Sequence, residues 1–336
     1  MMKKLLIALG VVAGALLILF LIFRNPDTDA AEMRAKYTSE ASRFITAEPG
    51  LDIHVRDEGP RGAPVLLLAH GASASLHTWE PWVEELSDDY RIVSYDQPGH
   101  GLTGPHPRRC YSDVCMVAAA HAVAEALDLN EFVIGGNSMG GWLAWNYALR
   151  HPDRVAGMVL VDAAGITVEE DDEDGLPIGF RILAMPGVNQ LATQITPRSM
   201  IETSLRQTVV DQDRVSEAEI DRYWELLRYP GNRQATLDRF SAPRGEEATA
   251  ERMATLTMPT LIQWGTEDTL IPVAVGEAFD ERLPNSELII YENVGHIPQE
   301  EMAERSAADV RAFLQRVYAP PEPYLPPPIP EAEPAE

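Results

Sequence analysis

Short apolar runs, each closed by a turn and separated from the next by a helical stretch, constrain this chain more than any other feature. Pro64-Val65-Leu66-Leu67-Leu68-Ala69 ends at His70-Gly71, and Tyr90 to Tyr95 ends at Asp96-Gln97-Pro98-Gly99-His100-Gly101. Phe132–Gly135, Gly157–Val161, Thr260–Trp264 and Glu287–Tyr291 complete the set. Near-continuous apolar runs of this length suit parallel strands buried on both faces. The spacing predicts helices over Pro81–Leu86, Cys115–Leu127, Gly140–Arg150 and Ala303–Tyr318. Strand and helix in alternation point to an α/β fold, with a mostly parallel central sheet and helices on both faces.

The alternation breaks from about Gly165 to Ala254. This insert is helical in character but punctuated by Pro177, Pro186, Pro197, Pro230 and Pro243. Lying between two strands, it reads as a helical cap over the strand ends, where it would exclude water and shape a pocket. Its acidic run, Glu169 to Asp174, lacks the spacing of a calcium loop and reads as a solvated cap loop.

Gly136-Asn137-Ser138-Met139-Gly140 follows the run Phe132–Gly135 and opens a helix. G-x-S-x-G alone is a weak pattern, but strand–turn–helix is the context it needs. A strained turn there lifts the serine oxygen above the sheet edge. A serine hydroxyl also needs a base. His296 follows the last strand and Asp268 the strand before it, so the chain order is Ser, Asp, His. A carboxylate so placed holds the imidazole tautomer and stabilises its cation. Glu267 and Asp162, also near strand ends, are the alternative acids. The backbone amides of Ala72 and Met139 stand where oxyanion donors belong. His70 and His100 read as structural loop residues. No cofactor or metal is called for.

The formal charge of −25 argues against nucleic acid as a partner, since phosphate affinity comes largely from Lys and Arg. Nineteen apolar or Gly residues run unbroken from Leu5 to Phe23 behind Lys3-Lys4. That nearly matches the ~20 residues of a bilayer-crossing helix. It exceeds the ~7–15 residues of a signal-peptide core. We therefore expect an N-terminal transmembrane anchor over residues 1–24, with a cleaved signal as the alternative. The lysines place the N-terminus inside and the body outside, in the periplasm if the cell is bacterial. Residues 25–43 read as a spacer with a short helix within Ala30–Glu40, and 44–318 as the folded domain. The Pro/Glu-rich end, 319–336, cannot bury enough surface to fold. Cys110 and Cys115 can be oxidised in an exported domain, but Cα separation and Cβ direction decide whether they bond.

Taken together, "LLLAHGASAS", "VSYDQPGHGLT", "IGGNSMGGWLAWNYALRHPDRVAGMVLVDAAG", "LIQWGTEDTLIP" and "YENVGHIPQEE" resemble the α/β-hydrolase superfamily. The resemblance runs from about Leu51 to Val317. It is to the capped branch related to esterases, epoxide hydrolases and carbon–carbon bond hydrolases. It implies Ser138 as nucleophile, Asp268 as acid, His296 as base, and Ala72 with Met139 as oxyanion donors. Epoxide hydrolases and haloalkane dehalogenases use aspartate as nucleophile, so Ser138 argues against both. The leading expectation is hydrolysis of a small carboxylic ester, lipid-like in one version, through an acyl-enzyme. Carbon–carbon hydrolysis of a diketone-type acid is the alternative, since "GNSMGG" also looks like that elbow; its enzymes usually carry a more Gly-rich loop than "HGASAS". A silent, ligand-binding hydrolase fold is the third reading.

Overall fold

The computed structural model describes residues 2–168, 185, 187–242 and 247–319. The acidic run and the tail beyond residue 319 lie outside them. An N-terminal helix α1 (Met2–Phe23) and a short α2 (Ala30–Tyr37) precede the sheet. Strands β1 (Ser42–Glu48) and β2 (Leu51–Glu58) form an antiparallel pair. Then come β3 (Val65–Ala69), α3 (Glu80–Leu86), β4 (Arg91–Tyr95), α4 (Asp113–Ala126), β5 (Phe132–Asn137), α5 (Met139–Arg150) and β6 (Val155–Val161). The cap holds α6 (Val188–Ala192), α7 (Arg198–Arg206), α8 (Glu217–Leu227), α9 (Asn232–Ser241) and α10 (Ala250–Met253). The core resumes with β7 (Thr260–Gly265), α11 (Val273–Arg282), β8 (Ser286–Tyr291), α12 (Pro298–Glu301) and α13 (Ala303–Val317).

The eight strands lie in the order β1-β2-β4-β3-β5-β6-β7-β8. β2 meets β4 antiparallel, and every pairing from β4 to β8 is parallel. Alternate residues of each central strand face opposite layers. Leu67, Ile134, Leu160 and Ile262 face α4, α5 and α11, whereas Leu66, Val133, Val159 and Leu261 face α3 and α13. All eight are at most 1 % exposed, which is why the strands read as unbroken apolar runs. Each such side chain contributes about 1.5–3 kcal/mol by leaving water.

Two expectations need correction, and a third is not supported by the described residues. The apolar-run reading starts the sheet at β3 and misses β1 and β2: β1 is a half-exposed edge strand, and β2, though buried, carries the polar His54, Arg56 and Asp57. Residues 25–43 are not a free spacer. Asn25 N–H donates to Gln194 O, Arg233 donates to Asn25 O and to Asp27, and Met33 and Tyr37 pack with Leu226 and Tyr229 of the cap. The transmembrane expectation is not carried by the described residues, none of whose helices is long and apolar enough to cross a membrane. Cys110 and Cys115, left open by the sequence, form a disulfide with Cα atoms 5.9 Å apart.

Candidate active site

Ser138 stands between β5 and α5 with φ 56° and ψ −117°, a backbone conformation that costs a non-glycine residue about 1–3 kcal/mol. Neighbouring groups hold it there. Its N–H donates to Val161 O (3.0 Å), and its carbonyl accepts from Ala164 N (3.0 Å) and Trp142 N (3.1 Å). The turn has no room for side chains on its flanks. A Cβ on Gly136 would stand 2.2 Å from the Gly140 backbone, and one on Gly140 would stand 1.9 Å from Ala69 O. The motif's two glycines are therefore required by contact with backbone.

His296 and Asp268 come together from the loops after β8 and β7. His296 Nδ1 lies 2.7 Å from Asp268 Oδ2, and both residues are buried. Asp268 Oδ1 accepts from Leu270 N (2.8 Å) and Ile271 N (3.1 Å), which fixes the carboxylate plane. With Nδ1 engaged, Nε2 is the imidazole nitrogen left to handle a proton. Asn137, next to Ser138, donates from Nδ2 to His296 O (2.9 Å) and Val161 O (3.2 Å), so it ties the elbow to the histidine loop. Sequence reasoning gave Asn137 no role, although it lies inside the motif.

Asp162, one of the alternative acids, sits at the same place. Its Oδ1 accepts from Gly265 N (3.0 Å), and its carboxyl is held well above the usual carboxylate range, first by burial and then by the charge of Asp268. Ligand-type atoms of Asp162, Asp268 and His296 lie within 4.8 Å of one another. Those of Asp268 and His296 are engaged with each other. Asp268 is thus the acid that bonds the imidazole, while Asp162 lies beside the pair with its carboxyl pushed upward and its Oδ2 buried without a hydrogen-bond partner. Glu267 points elsewhere, toward Thr266.

The oxyanion loop follows β3. His70 donates from Nδ1 to Gly71 O (2.7 Å) and accepts at Nε2 from Gln97 N (3.0 Å), while burial lowers its pKa. That tautomer leaves it no proton-transfer role, as expected. His100 packs edge-on against it, and burial also keeps its pKa well below normal. Gly71 is pressed against the elbow, where a Cβ would meet Asn137 Oδ1 at 2.9 Å. The same Cβ would stand 3.4 Å from Ser138 Cβ, and half-buried Ala72 is the next residue in the chain.

A second Ser–His–Asp group lies some distance along the sheet. Ser42 Oγ is 2.9 Å from His54 Nε2, and His54 Nδ1 is 2.8 Å from Asp96 Oδ2. Asp96 also accepts from Leu76 N and Leu102 N, both at 2.8 Å. Burial alone would raise its pKa. The His54 hydrogen bond and neighbouring imidazoles outweigh that and hold it well below the usual range.

The model of the alpha/beta hydrolase fold matches residues 64–303. The chain belongs to the α/β-hydrolase family. This α/β hydrolase is 26 % identical over 294 residues to a 2-hydroxy-6-oxononadienedioate/2-hydroxy-6-oxononatrienedioate hydrolase of Pseudomonas sp, covering 84 % of this chain and all of the relative. Among solved structures, a bacterial membrane phospholipase A superposes with a TM-score of 0.71 at 26 % identity, covering 95 % of this α/β hydrolase and 99 % of that chain. A meta-cleavage product hydrolase from Pseudomonas fluorescens IP01 gives 0.70 at 26 % identity, over 82 % and 97 %.

Proposed function

We propose that the protein is a serine hydrolase in which Ser138, His296 and Asp268 form the catalytic triad. The observation that carries it is the strained Ser138 elbow at the start of α5, tied by Asn137 to the loop of a buried histidine–aspartate pair. Ser138 Oγ attacks the substrate carbonyl carbon as its proton passes to His296 Nε2. Asp268 steadies the resulting imidazolium. The carbonyl oxygen turns negative against the amides of Ala72 and Met139, donors of a kind worth about 3–4 kcal/mol each. The leaving group departs with the proton from His296. Water, deprotonated by the same nitrogen, then releases the acyl group.

The first reading of the substrate is a carboxylic ester, lipid-like in its acyl chain. The likeness to a membrane phospholipase over 95 % of this chain supports it. The second reading is cleavage of a carbon–carbon bond in a diketone-type acid. The names of the relatives favour it: the Pseudomonas hydrolases above, and a 2-hydroxymuconate semialdehyde hydrolase at 27 % identity over 83 % of this chain. Two assays on the purified protein separate them, one with p-nitrophenyl esters of graded chain length, the other with a 2-hydroxy-6-oxodienoate followed by its absorbance. Turnover of the dienoate alone would overturn the ester reading.

We also propose that α1 anchors the protein and that the body lies outside the cytoplasm. The unbroken Leu5–Phe23 run and the Cys110–Cys115 disulfide, a bond of oxidising compartments, support this. Cell fractionation tests it: the full-length protein should resist extraction by high salt and be released by detergent. Recovery in the soluble fraction would contradict it.

A further inference from the structure

The loop that carries His296 is held from the cap as much as from the core. His296 N–H donates to Thr208 O (2.8 Å), at the end of the cap helix α7. Gly295 has the same segment against it, since a Cβ there would stand 2.3 Å from Thr208 O. One side chain ties these pieces together. Glu301, 8 % exposed at the end of α12, accepts from Gly295 N (2.7 Å) at Oε2. Its Oε1 accepts from Val210 N (2.7 Å) and Asp211 N (3.1 Å) of the cap. Arg214 of the cap donates to Glu301 O and Glu300 O, which pins the helix end itself. The same cap segment reaches the acid's loop, where Thr269 Oγ1 donates to Gln207 O (3.4 Å). Leu205, Val209 and Val215 close over Ile297, the residue after the base.

We propose that Glu301 is a positioning residue that makes the placement of His296 depend on the seating of the cap segment Leu205–Asp211. Three backbone N–H groups, one from the base's loop and two from the cap, converge on one carboxylate. Only an acceptor at both oxygens satisfies all three, because a buried N–H left without an acceptor costs about 1–3 kcal/mol. A carboxylate holds the loop and the cap in one register. A side-chain amide presents N–H to at least one of these donors and pushes the two apart. A lifted cap would carry the base away from the nucleophile, so the site assembles fully only when the cap is down.

The inference rests on the triad reading, and labelling by a fluorophosphonate probe separates the two. If the full-length wild type does not label, or Ser138→Ala labels equally, the triad reading fails and this one with it. If the wild type labels at Ser138, the Glu301→Gln variant decides. Its labelling rate and kcat should fall about 10- to 100-fold, the scale of a misplaced catalytic group, with KM changed little. Glu301→Asp, which keeps two acceptor oxygens, should recover part of that loss. Leu226→Ala removes buried packing in the separate cluster formed with Met33, Tyr37 and Leu102, which does not include the segment Leu205–Asp211, and so controls for general destabilisation. It should label at close to the wild-type rate. Wild-type labelling by Glu301→Gln, a loss confined to KM, or an equal loss in Leu226→Ala would overturn the proposal. If Glu301→Gln does not fold, Glu301→Asp carries the test: slowed labelling with wild-type KM supports it, and unchanged labelling overturns it.

Discussion

Two regions of the molecule gather a serine, a histidine and an aspartate, and they differ in what surrounds the serine. Ser42 belongs to the regular strand β1, in register with Arg56 of β2. Its Oγ accepts from Ser39 N (3.0 Å) besides meeting His54. Asp96 beneath it is saturated with donors from three parts of the chain, His54, Leu76 and Leu102. The group works as a lock between β1, β2 and the loop after β4. Ser138 instead occupies a positive-φ elbow at a helix N-terminus, where backbone amides face developing negative charge. The contrast teaches that a Ser–His–Asp chain of hydrogen bonds does not by itself make a nucleophile. Strained presentation and preorganised donors do.

The largest expected effect tests that contrast directly. Ser138→Ala should remove fluorophosphonate labelling and lower turnover by about six orders of magnitude, as loss of a triad serine does. Ser42→Ala should leave both within a fewfold. Strong labelling that survives Ser138→Ala and vanishes in Ser42→Ala would invert the comparison.

Next comes the choice of acid. Asp268→Asn should lower kcat about 10⁴-fold through loss of tautomer control. Asp162→Asn should be far milder, because the imidazole Nδ1 bonds Asp268, and burial with the charge of Asp268 pushes the Asp162 carboxyl upward. Steady-state kinetics on the two variants would move the acid to Asp162 if the order were reversed.

At the lock, the effect should be on stability. Asp96→Ala leaves His54 Nδ1 and two buried amides without their acceptor, and should cost about 3–5 kcal/mol in urea unfolding, since each buried donor left unsatisfied costs about 1–3 kcal/mol. Ser42→Ala, at a half-exposed end of the chain of bonds, should cost less than about 1 kcal/mol. Equal losses would show that the lock is not centred on Asp96.

The subtlest contrast is in pH dependence, where the two regions carry opposite signs. Asp96 has a lowered folded pKa, so its stabilisation is full above the unfolded carboxylate value and is lost as pH falls below it. Burial, with Arg56 nearby, lowers His77 to about 4, so its contribution is full above the unfolded value near 6.5 and is lost as pH falls from there toward 4. Asp162 works the other way. Its folded pKa is raised, so the fold binds a proton that the unfolded chain releases, and stability declines as pH rises above about 3.9. Replacing Asp162 by Asn should remove that decline, worth up to about 1.4 kcal/mol per pH unit. Urea midpoints from pH 4 to 8 should show the variant gaining on the wild type as pH rises. A constant offset would mean that Asp162 is ionised in the fold.

Much of the central architecture is written in local pattern. The runs that became β3 to β7 are apolar on both faces because both faces are covered, and that signal survives in any short window. The elbow was legible because Gly136 and Gly140 are forced by backbone contacts within a few residues or one strand away. The order Ser, Asp, His followed from strand-end positions, and the fold brings the histidine and the aspartate together across 28 residues. What local pattern lacks is pairing at distance. β1 gives no apolar run because it is an edge strand, and β2 hides its burial behind His54, Arg56 and Asp57, whose partners lie elsewhere in the chain. Nothing in Asn25 or Asp27 announces that Arg233, more than 200 residues on, will hold them against the cap. Glu301 stood in plain view in "YENVGHIPQEE", yet its three donors come from backbone amides, which every residue but proline carries and no sequence marks. The sequence determined the layers and the chemistry each turn can present. Which amide meets which carboxylate, and hence which of two Ser–His–Asp groups is strained and which is a lock, was decided only when the chain closed on itself.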